Sequence, residues 1–224
     1  MKKKKIISAI AAVAVVASLS IGSLAWFTSQ DSVTNEFSTV STTDPSDPNA
    51  GIKINENFDK ETAKSVLPGT EVRKLVKVDS KAKYDQLVKV KLEKVWKDSK
   101  GNKITSVWVK DEKIVAKGTE GAKEVVLDDK LIKLNFGDNL GNSEGKWIDG
   151  KEGTYYYNGI LKPGATTSAL LNSVTLDGQA DNFYKGLSFD VVVTADGIQA
   201  SNGAVSDGWK EAPQVIKDLG GVSK

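Results

Sequence analysis

The sequence predicts an all-β protein, specifically a jelly-roll-like antiparallel β-sandwich with short helices in its connecting loops. Apolar residues recur at every second position in many short segments, which is the periodicity of strands with one buried face. Turn signals rich in Gly, Pro, Asn and Asp separate these segments. The sequence lacks the alternation of strands with long helices that a parallel α/β plan requires. About eight to ten short strands in one domain are typical of a sandwich or jelly roll.

The clearest strand pattern spans residues 87–96, where Val88, Val90 and Leu92 alternate with charged residues. Further strands are predicted over residues 52–54, 71–78, 104–109, 124–127, 131–136, 154–157, 166–176 and 187–200. Short helices are predicted over residues 180–185 and 212–219. Residues 51–224 are therefore interpreted as one sandwich domain.

Residues 1–25 are predicted to be a cleaved signal peptide. Four lysines precede an apolar run that ends at Leu24, and Ser23 and Ala25 place small residues at the −3 and −1 positions of a cleavage site. The apolar run of about 19 residues approaches bilayer length, so a retained membrane anchor is the alternative. Its Ala- and Ser-rich composition, its small-x-small ending and the lack of stop-transfer charges favour removal. The mature chain would then begin at Trp26.

The charge balance changes when this leader is removed. The chain has 31 Lys+Arg and 29 Asp+Glu, a net charge of +2. The leader holds four of the lysines and no acid, which leaves 27 basic and 29 acidic residues and a mature net charge of −2. The basicity therefore belongs to the leader, and nucleic acid is not an expected partner.

Two residue types are missing from the sequence. Without cysteine, an exported chain must be stabilised by its core or by assembly rather than by disulfides. Without histidine, it lacks the usual general base, the Ser-His and Cys-His nucleophile systems, and any zinc site that requires imidazole. An acid-base enzyme would have to be assembled from Asp and Glu alone. We therefore expect no enzyme, and assign no catalytic, cofactor-binding or metal-binding residue.

The segment at residues 26–50 is polar, rich in Ser and Thr, and ends in a linker that contains Pro45 and Pro48. Within it Phe27, Val33 and Phe37 are apolar, whereas every even position from 28 to 38 is polar. This alternation predicts a strand with one buried face. It is equally typical of an ordinary first strand in its own domain and of a strand that contacts another subunit.

Three local motifs have simpler structural interpretations. The sequence Leu67-Pro68-Gly69-Thr70 is similar to a sortase sorting signal, but its internal position and following Glu71 favour a type II turn. Residues 138–145 are acidic and Gly-rich, yet lack the spaced carboxylates of an EF-hand loop, so a solvated hairpin loop is expected. Residues 155–157 are three consecutive tyrosines, which a strand would place on alternating faces.

The same features follow the order seen in one family of exported proteins. They comprise the leader, Leu24-Ala25-Trp26-Phe27-Thr28, Asn35-x-Phe37, the Pro68-Gly69 turn, the strand from Val88 to Trp96, the block from Tyr155 to Thr167 with Leu170-Leu171, then Ile198-Gln199-Ala200 and Trp209. The chain resembles the TasA/camelysin (CalY) family, whose leaders are processed by a SipW-type signal peptidase. The resemblance covers nearly the whole chain and is least specific over residues 97–150.

This resemblance implies a secreted jelly-roll subunit that forms a homopolymer, the fibre of an extracellular biofilm matrix or cell surface. It implies pilin-like donor-strand complementation, with Phe27, Val33 and Phe37 entering the next subunit. Expected partners are identical subunits, a SipW-type signal peptidase that cleaves between Ala25 and Trp26, and an accessory fibre protein. No cofactor and, after cleavage, no membrane contact are expected. Covalent crosslinks and a metal at the interface stay open.

Two alternatives to a fibre subunit follow from the same sequence. Part of the family carries a metalloprotease label through camelysin, which suggests a secreted camelysin-type metalloprotease. The chain has no His-Glu-x-x-His motif, so the resemblance does not carry that activity over. The second alternative is a monomeric surface adhesin.

Overall fold

The computed structural model describes residues 34–35, 51–63 and 66–221, with residues 34–35 described in their backbone alone. The described strands are β1 (Thr34–Asn35), β2 (Ile52–Phe58), β3 (Glu71–Ser80), β4 (Gln86–Lys97), β5 (Lys103–Ile104), β6 (Ser106–Lys110), β7 (Lys113–Val115), β8 (Lys123–Val126), β9 (Ile132–Asn135), β10 (Trp147–Asp149), β11 (Thr154–Tyr157), β12 (Leu171–Leu176) and β13 (Ser188–Gln199). The helices are α1 (Lys60–Ala63), α2 (Ala204–Gly208) and α3 (Gln214–Leu219), with 3-10 turns at Asp129–Leu131, Gly137–Asn139 and Asn182–Tyr184.

These strands form two main sheets and one small sheet, which confirms the predicted all-β sandwich. The larger sheet has the order β1–β13–β4–β11–β10, with β5 also paired to β4. The second sheet has the order β2–β3–β12–β9, and a three-stranded sheet has the order β7–β6–β8. All strand pairs are antiparallel except that of β1 with β13.

The main core lies between the two larger sheets. Even-numbered residues of β3 and β4 and odd-numbered residues of β13 point into it, as in Val76, Val90 and Val193. Burial of each such side chain contributes about 1.5–3 kcal/mol. A one-residue shift of register would turn these valines to the opposite face, so the alternation fixes the pairing.

A smaller core lies on the opposite face of the larger sheet, beneath α2 and α3. It is made of Leu87, Tyr156, Ile198, Val205, Trp209, Ala212 and Ile216. The three tyrosines of β11 divide between the cores: Tyr155 and Tyr157 pack on the main core and Tyr156 on the smaller one. The predicted alternation of these rings is confirmed, and they do not form one exposed aromatic surface.

The turn at residues 67–70 is confirmed. The Thr70 N–H donates to the Leu67 carbonyl at 2.9 Å, and Gly69 has a φ of 85°. A positive φ at the third position is the requirement of a type II turn, and glycine meets it without steric cost.

Other predicted elements differ from the observed ones. The strand predicted at 104–109 divides at Thr105, where the chain leaves the larger sheet and starts the small one. The unpredicted strand β7 follows a two-residue turn in which Asp111 and Glu112 both have positive φ, a role for which sequences favour Asn-Gly. The strand predicted at 166–176 begins only at Leu171; before it, Thr166 forms a single bridge with Asp79 and the Val78 N–H donates to the Thr167 hydroxyl instead of a backbone carbonyl.

Candidate functional site

The candidate functional site is the edge of the larger sheet at β13. This strand pairs with β4 along its whole length, from Ser188 opposite Lys97 to Gln199 opposite Gln86. Its sequence is rich in β-branched residues and alternates between core-facing and outer-facing side chains, which favours an extended strand. The edge remote from β4 therefore presents a long row of backbone donors and acceptors.

Two residues near the N-terminus, Thr34 and Asn35, lie against that edge. The two-residue strand β1 pairs in parallel with β13, with Thr34 beside Thr194 and Asn35 beside Ala195. Within the residues that the structure describes, β1 and β4 are the only strands paired with β13. Since β13 has twelve residues, β1 leaves most of this edge without a described strand partner.

The second sheet approaches β13 near the C-terminal end of the strand. A Cβ atom on Gly197 would lie 2.9 Å from Ile52 Cγ2 in β2 and 3.0 Å from Gln86 Nε2. Glycine is needed here because the two sheets come this close. The part of this edge that has no strand partner among the described residues and lies away from the second sheet is therefore the N-terminal part of β13, from Ser188 to Val193.

An ion pair lies on the core-facing side of the second sheet. Lys74 is an even-numbered residue of β3, so its side chain points to the same face as the buried Val72 and Val76, and it is 2% exposed. Its Nζ is 3.1 Å from the Glu56 carboxylate and 5.2 Å from the centroid of the Phe58 ring. The alternation in the sequence places Lys74 on the buried face, but it does not indicate the partner. Glu56 is brought close only by the pairing of β2 with β3.

Charged pairs also cross from β4 to β13 on the outer face of the larger sheet. Lys97 Nζ contacts the Asp190 carboxylate, and the Asp190 side chain is 2% exposed. Lys89 pairs with Asp196 at 3.0 Å, and Lys89 Nζ lies 5.0 Å from the Trp209 ring centroid. The sequence analysis did not single out these residues, since the partners are about a hundred residues apart in the chain.

One cleft of about 500 Å³ opens on the outer face of the second sheet. It is lined by Asp59, Glu71, Arg73, Leu75, Asn172 and Ser173. Hydrogen bonds from the Thr62 hydroxyl and backbone N–H hold the pKa of the Asp59 carboxyl below its ordinary value. The Ser173 hydroxyl donates to Glu71 and accepts from Asn135, so it is held in a structural hydrogen-bond network. Among the described residues there is no group of three or more Asp and Glu that could hold a metal ion.

The sequence-predicted site residues lie outside the described residues. They are the cleavage pair Ala25 and Trp26 and the donor-strand residues Phe27, Val33 and Phe37. The described strand β1 falls within the predicted donor segment, between Val33 and Phe37. In the described part of the chain, no helix is long and apolar enough to cross a membrane.

Comparison of the chain with family models, with curated proteins and with solved structures gives no match.

Proposed function

We propose that the protein is a structural subunit of an extracellular biofilm-matrix fibre, in which the mature N-terminal strand of each subunit pairs with β13 of the next. The observation that carries this proposal is the parallel pairing of β1 with an edge of β13 that has no other strand partner among the described residues. A segment that fits this edge within one chain fits the same edge of an identical neighbour, because the backbone hydrogen bonds are the same. Exchange of an identical element is a common route to assembly.

The register of β1 determines which donor side chains face the core. Paired residues on neighbouring strands point to the same face of a sheet. Asn35 is paired with Ala195, which is fully buried on the core side together with Val193. A donor strand that continues this register places Val33 beside Val193. Its odd-numbered residues then face the core, and these include the apolar residues Phe27, Val33 and Phe37.

Such a joint would gain energy from buried side chains and from backbone hydrogen bonds. Each Val or Phe side chain that becomes fully buried contributes about 1.5–3 kcal/mol, so three anchors supply several kcal/mol. Backbone hydrogen bonds add about 0.5–1.5 kcal/mol each in net terms. Donor and acceptor are different surfaces of the subunit, so the contact is head-to-tail and produces a filament when the rotation does not close.

The donor segment also fits the predicted processing of the chain. Cleavage after Ala25 would place the donor strand at the mature N-terminus, where it is free to reach another subunit. Export through this leader would deliver the subunit to the outside of the cell. The lack of cysteine agrees with a polymer held by strand pairing rather than by disulfides.

Electron microscopy of the mature protein, beginning at Trp26, tests the proposal. Wild-type protein should form fibres, whereas deletion of residues 26–40 or the change of Val33 and Phe37 to Asp should leave a folded monomer. Ser32→Asp is the matched control, since an even-numbered side chain in this register points away from the core. Circular dichroism and thermal melts monitor the fold. Fibres of normal length from the deleted protein would contradict the proposal, and loss of the fold would identify an ordinary internal strand.

The same preparation separates the alternative functions. Cleavage of casein that a chelator abolishes would indicate a camelysin-type metalloprotease. A protein that stays monomeric on a sizing column under all conditions and binds a host or matrix ligand would indicate an adhesin.

A further inference from the structure

The most enclosed ion pair between the two longest strands joins Lys97 of β4 to Asp190 of β13. Lys97 is paired with Ser188 and Asp190 with Val95, so Lys97 and Asp190 are diagonal neighbours on the outer face of the sheet. The Lys97 Nζ atom contacts Oδ2 of Asp190. A primary amine and a carboxyl carbon are thus held next to each other by two fully paired strands.

Burial distinguishes this pair from its counterpart on the same strands. The side chain of Asp190 is 2% exposed and that of Lys97 is 14% exposed. Lys89 and Asp196 are paired across the same two strands and on the same face, with side chains 27% and 24% exposed. Both pairs have the same chemistry, but only the Lys97–Asp190 pair is largely shielded from water.

We propose that Lys97 and Asp190 form an intramolecular isopeptide bond that covalently joins β4 to β13. Bond formation requires the ammonium proton of Lys97 to pass first to the Asp190 carboxylate, which its Nζ contacts directly. The neutral Nζ then adds to Cγ of Asp190, and the carbon–oxygen bond breaks. The hydroxyl leaves with a proton from the nitrogen as one water molecule, and an Nζ–Cγ amide is formed. The step needs no oxidant, reductant or further reactant.

Proximity lowers the activation barrier of amide formation relative to the same reaction between free groups in solution. Well-oriented intramolecular groups react with effective molarities of about 10⁵–10⁸ M. The register also places Glu93 opposite Val192, which makes it the other diagonal neighbour of Asp190 on the same face. The Glu93 side chain is 49% exposed and is paired with Lys103 of β5, so it takes no part in the proposed step.

Such a bond would strengthen β13 at its N-terminal end. In a chain without cysteine, an amide is a covalent link that neighbouring strands can form from common side chains. Strand β13, which would carry the tension from an added donor strand, would then be covalently joined to β4 in the middle of the sheet. The bond itself is an intramolecular property and does not depend on polymerisation, so its test is independent of the proposed function.

Intact mass spectrometry of the denatured mature protein, with its N-terminus determined by sequencing, tests the bond. We expect the wild-type mass to lie one water molecule below the mass of its sequence. Lys97→Ala and Asp190→Ala should each show their full sequence mass. Lys89→Ala is the matched control and should keep the one-water deficit. Tryptic digestion should yield a branched peptide that joins residues 97 and 190.

Wild-type protein at its full sequence mass would show an ion pair only and would overturn the proposal. A deficit that persists in Lys97→Ala, or one that disappears in Lys89→Ala, would place the lost water elsewhere and overturn it as well. The wild-type mass and the branched peptide decide the matter even if the two alanine variants fold poorly.

Discussion

Thr34 lies directly beside Thr194 in the one parallel strand pair of the larger sheet. Because the natural chain has no cysteine, two introduced cysteines can report this contact without competing thiols. Neighbouring strands lie about 4.7–4.9 Å apart, within the range of Cα separations that a disulfide spans.

We expect the double variant Thr34→Cys, Thr194→Cys to form a disulfide under mild oxidation. In fibres the bond should join different subunits and give a ladder on a non-reducing gel. In monomers it should be internal and leave the gel mobility near that of a single chain. The pair Thr34→Cys, Val192→Cys is out of register by two residues and should crosslink much less. Equal crosslinking of the two pairs would contradict the register of β1.

If the predicted leader is removed, the proposed donor strand lies at the N-terminus of the mature chain. Ser23 and Ala25 supply the small residues of a cleavage site, so the secreted form should begin Trp-Phe-Thr-Ser-Gln. N-terminal sequencing of protein recovered outside the cell checks this expectation. Extracellular protein that keeps the four lysines of residues 2–5 would show that the leader is not removed.

Trp209 ties the C-terminal helices to the larger sheet. Its ring is 4% exposed and packs edge to face on Tyr156, with the centroids 6.0 Å apart. Large-to-small changes at such aromatic positions cost about 3–5 kcal/mol. We expect Trp209→Ala to lower the free energy of unfolding by this amount in a urea titration. Val215→Ala, at a side chain 41% exposed in α3, is the control and should change it by less than about 0.5 kcal/mol.

Local patterns predict most of the strands of this fold. The strand at residues 154–157 has the predicted bounds. Strands β3 and β4 are longer than predicted by one or two residues at an end, and β13 is shorter by one residue at each end. These elements follow from alternation within a few neighbouring residues, which the sequence shows directly. Strands β7 and β10 have only three residues each, too few for a period of two to be distinguished.

The candidate site depends on pairings that a local pattern does not contain. Nothing in residues 188–199 shows that this strand lies next to the edge of the sheet, because edge position is set by the order of all the strands. The partners Lys97 and Asp190 are 93 residues apart, and their contact follows from the register of β4 with β13. The alternation at residues 27–37 indicated a half-buried strand but not the surface that would receive it.

Three buried tyrosines make stability sensitive to alkaline pH. Burial raises the pKa values of Tyr155, Tyr156 and Tyr184, because the phenolate form is disfavoured away from water. A raised folded-state pKa contributes stability that is fully present below the unfolded value of about 10 and is lost as pH rises through the folded value. We expect the melting temperature to fall steeply above about pH 10.

The double variant Tyr155→Phe, Tyr156→Phe isolates this effect from the deprotonation of lysines. It should lose less stability than wild type between neutral and alkaline pH, while the two proteins differ little in slope near pH 7. Differential scanning calorimetry across the pH series gives the comparison. Parallel curves for both proteins would show that these phenols do not contribute.

Lys74 and Glu56 form a charged pair in the wall of the main core, with side chains 2% and 9% exposed. Removal of one member of a buried pair typically costs about 3–5 kcal/mol, because the other charge stays in a poorly solvated site. Replacement of both members by apolar residues of similar size is often neutral, since no charge is then buried. We therefore expect Lys74→Met to lower the free energy of unfolding by about 3–5 kcal/mol.

The double variant Lys74→Met, Glu56→Leu should recover most of that loss in the same denaturant titration. The exposed pair Lys103 and Glu93 is the control, since its side chains are 59% and 49% exposed and a surface pair is worth about 0–1 kcal/mol. If Lys74→Met and the double variant lose equal amounts, the pair is not coupled and its burial alone does not set the cost. Recovery in the double variant would instead show that the core tolerates an apolar wall, so that the charges are kept for a reason other than stability. Polymerisation of that variant would then test whether the ion pair fixes the register of a partner strand, which a buried pair can do without a gain in stability.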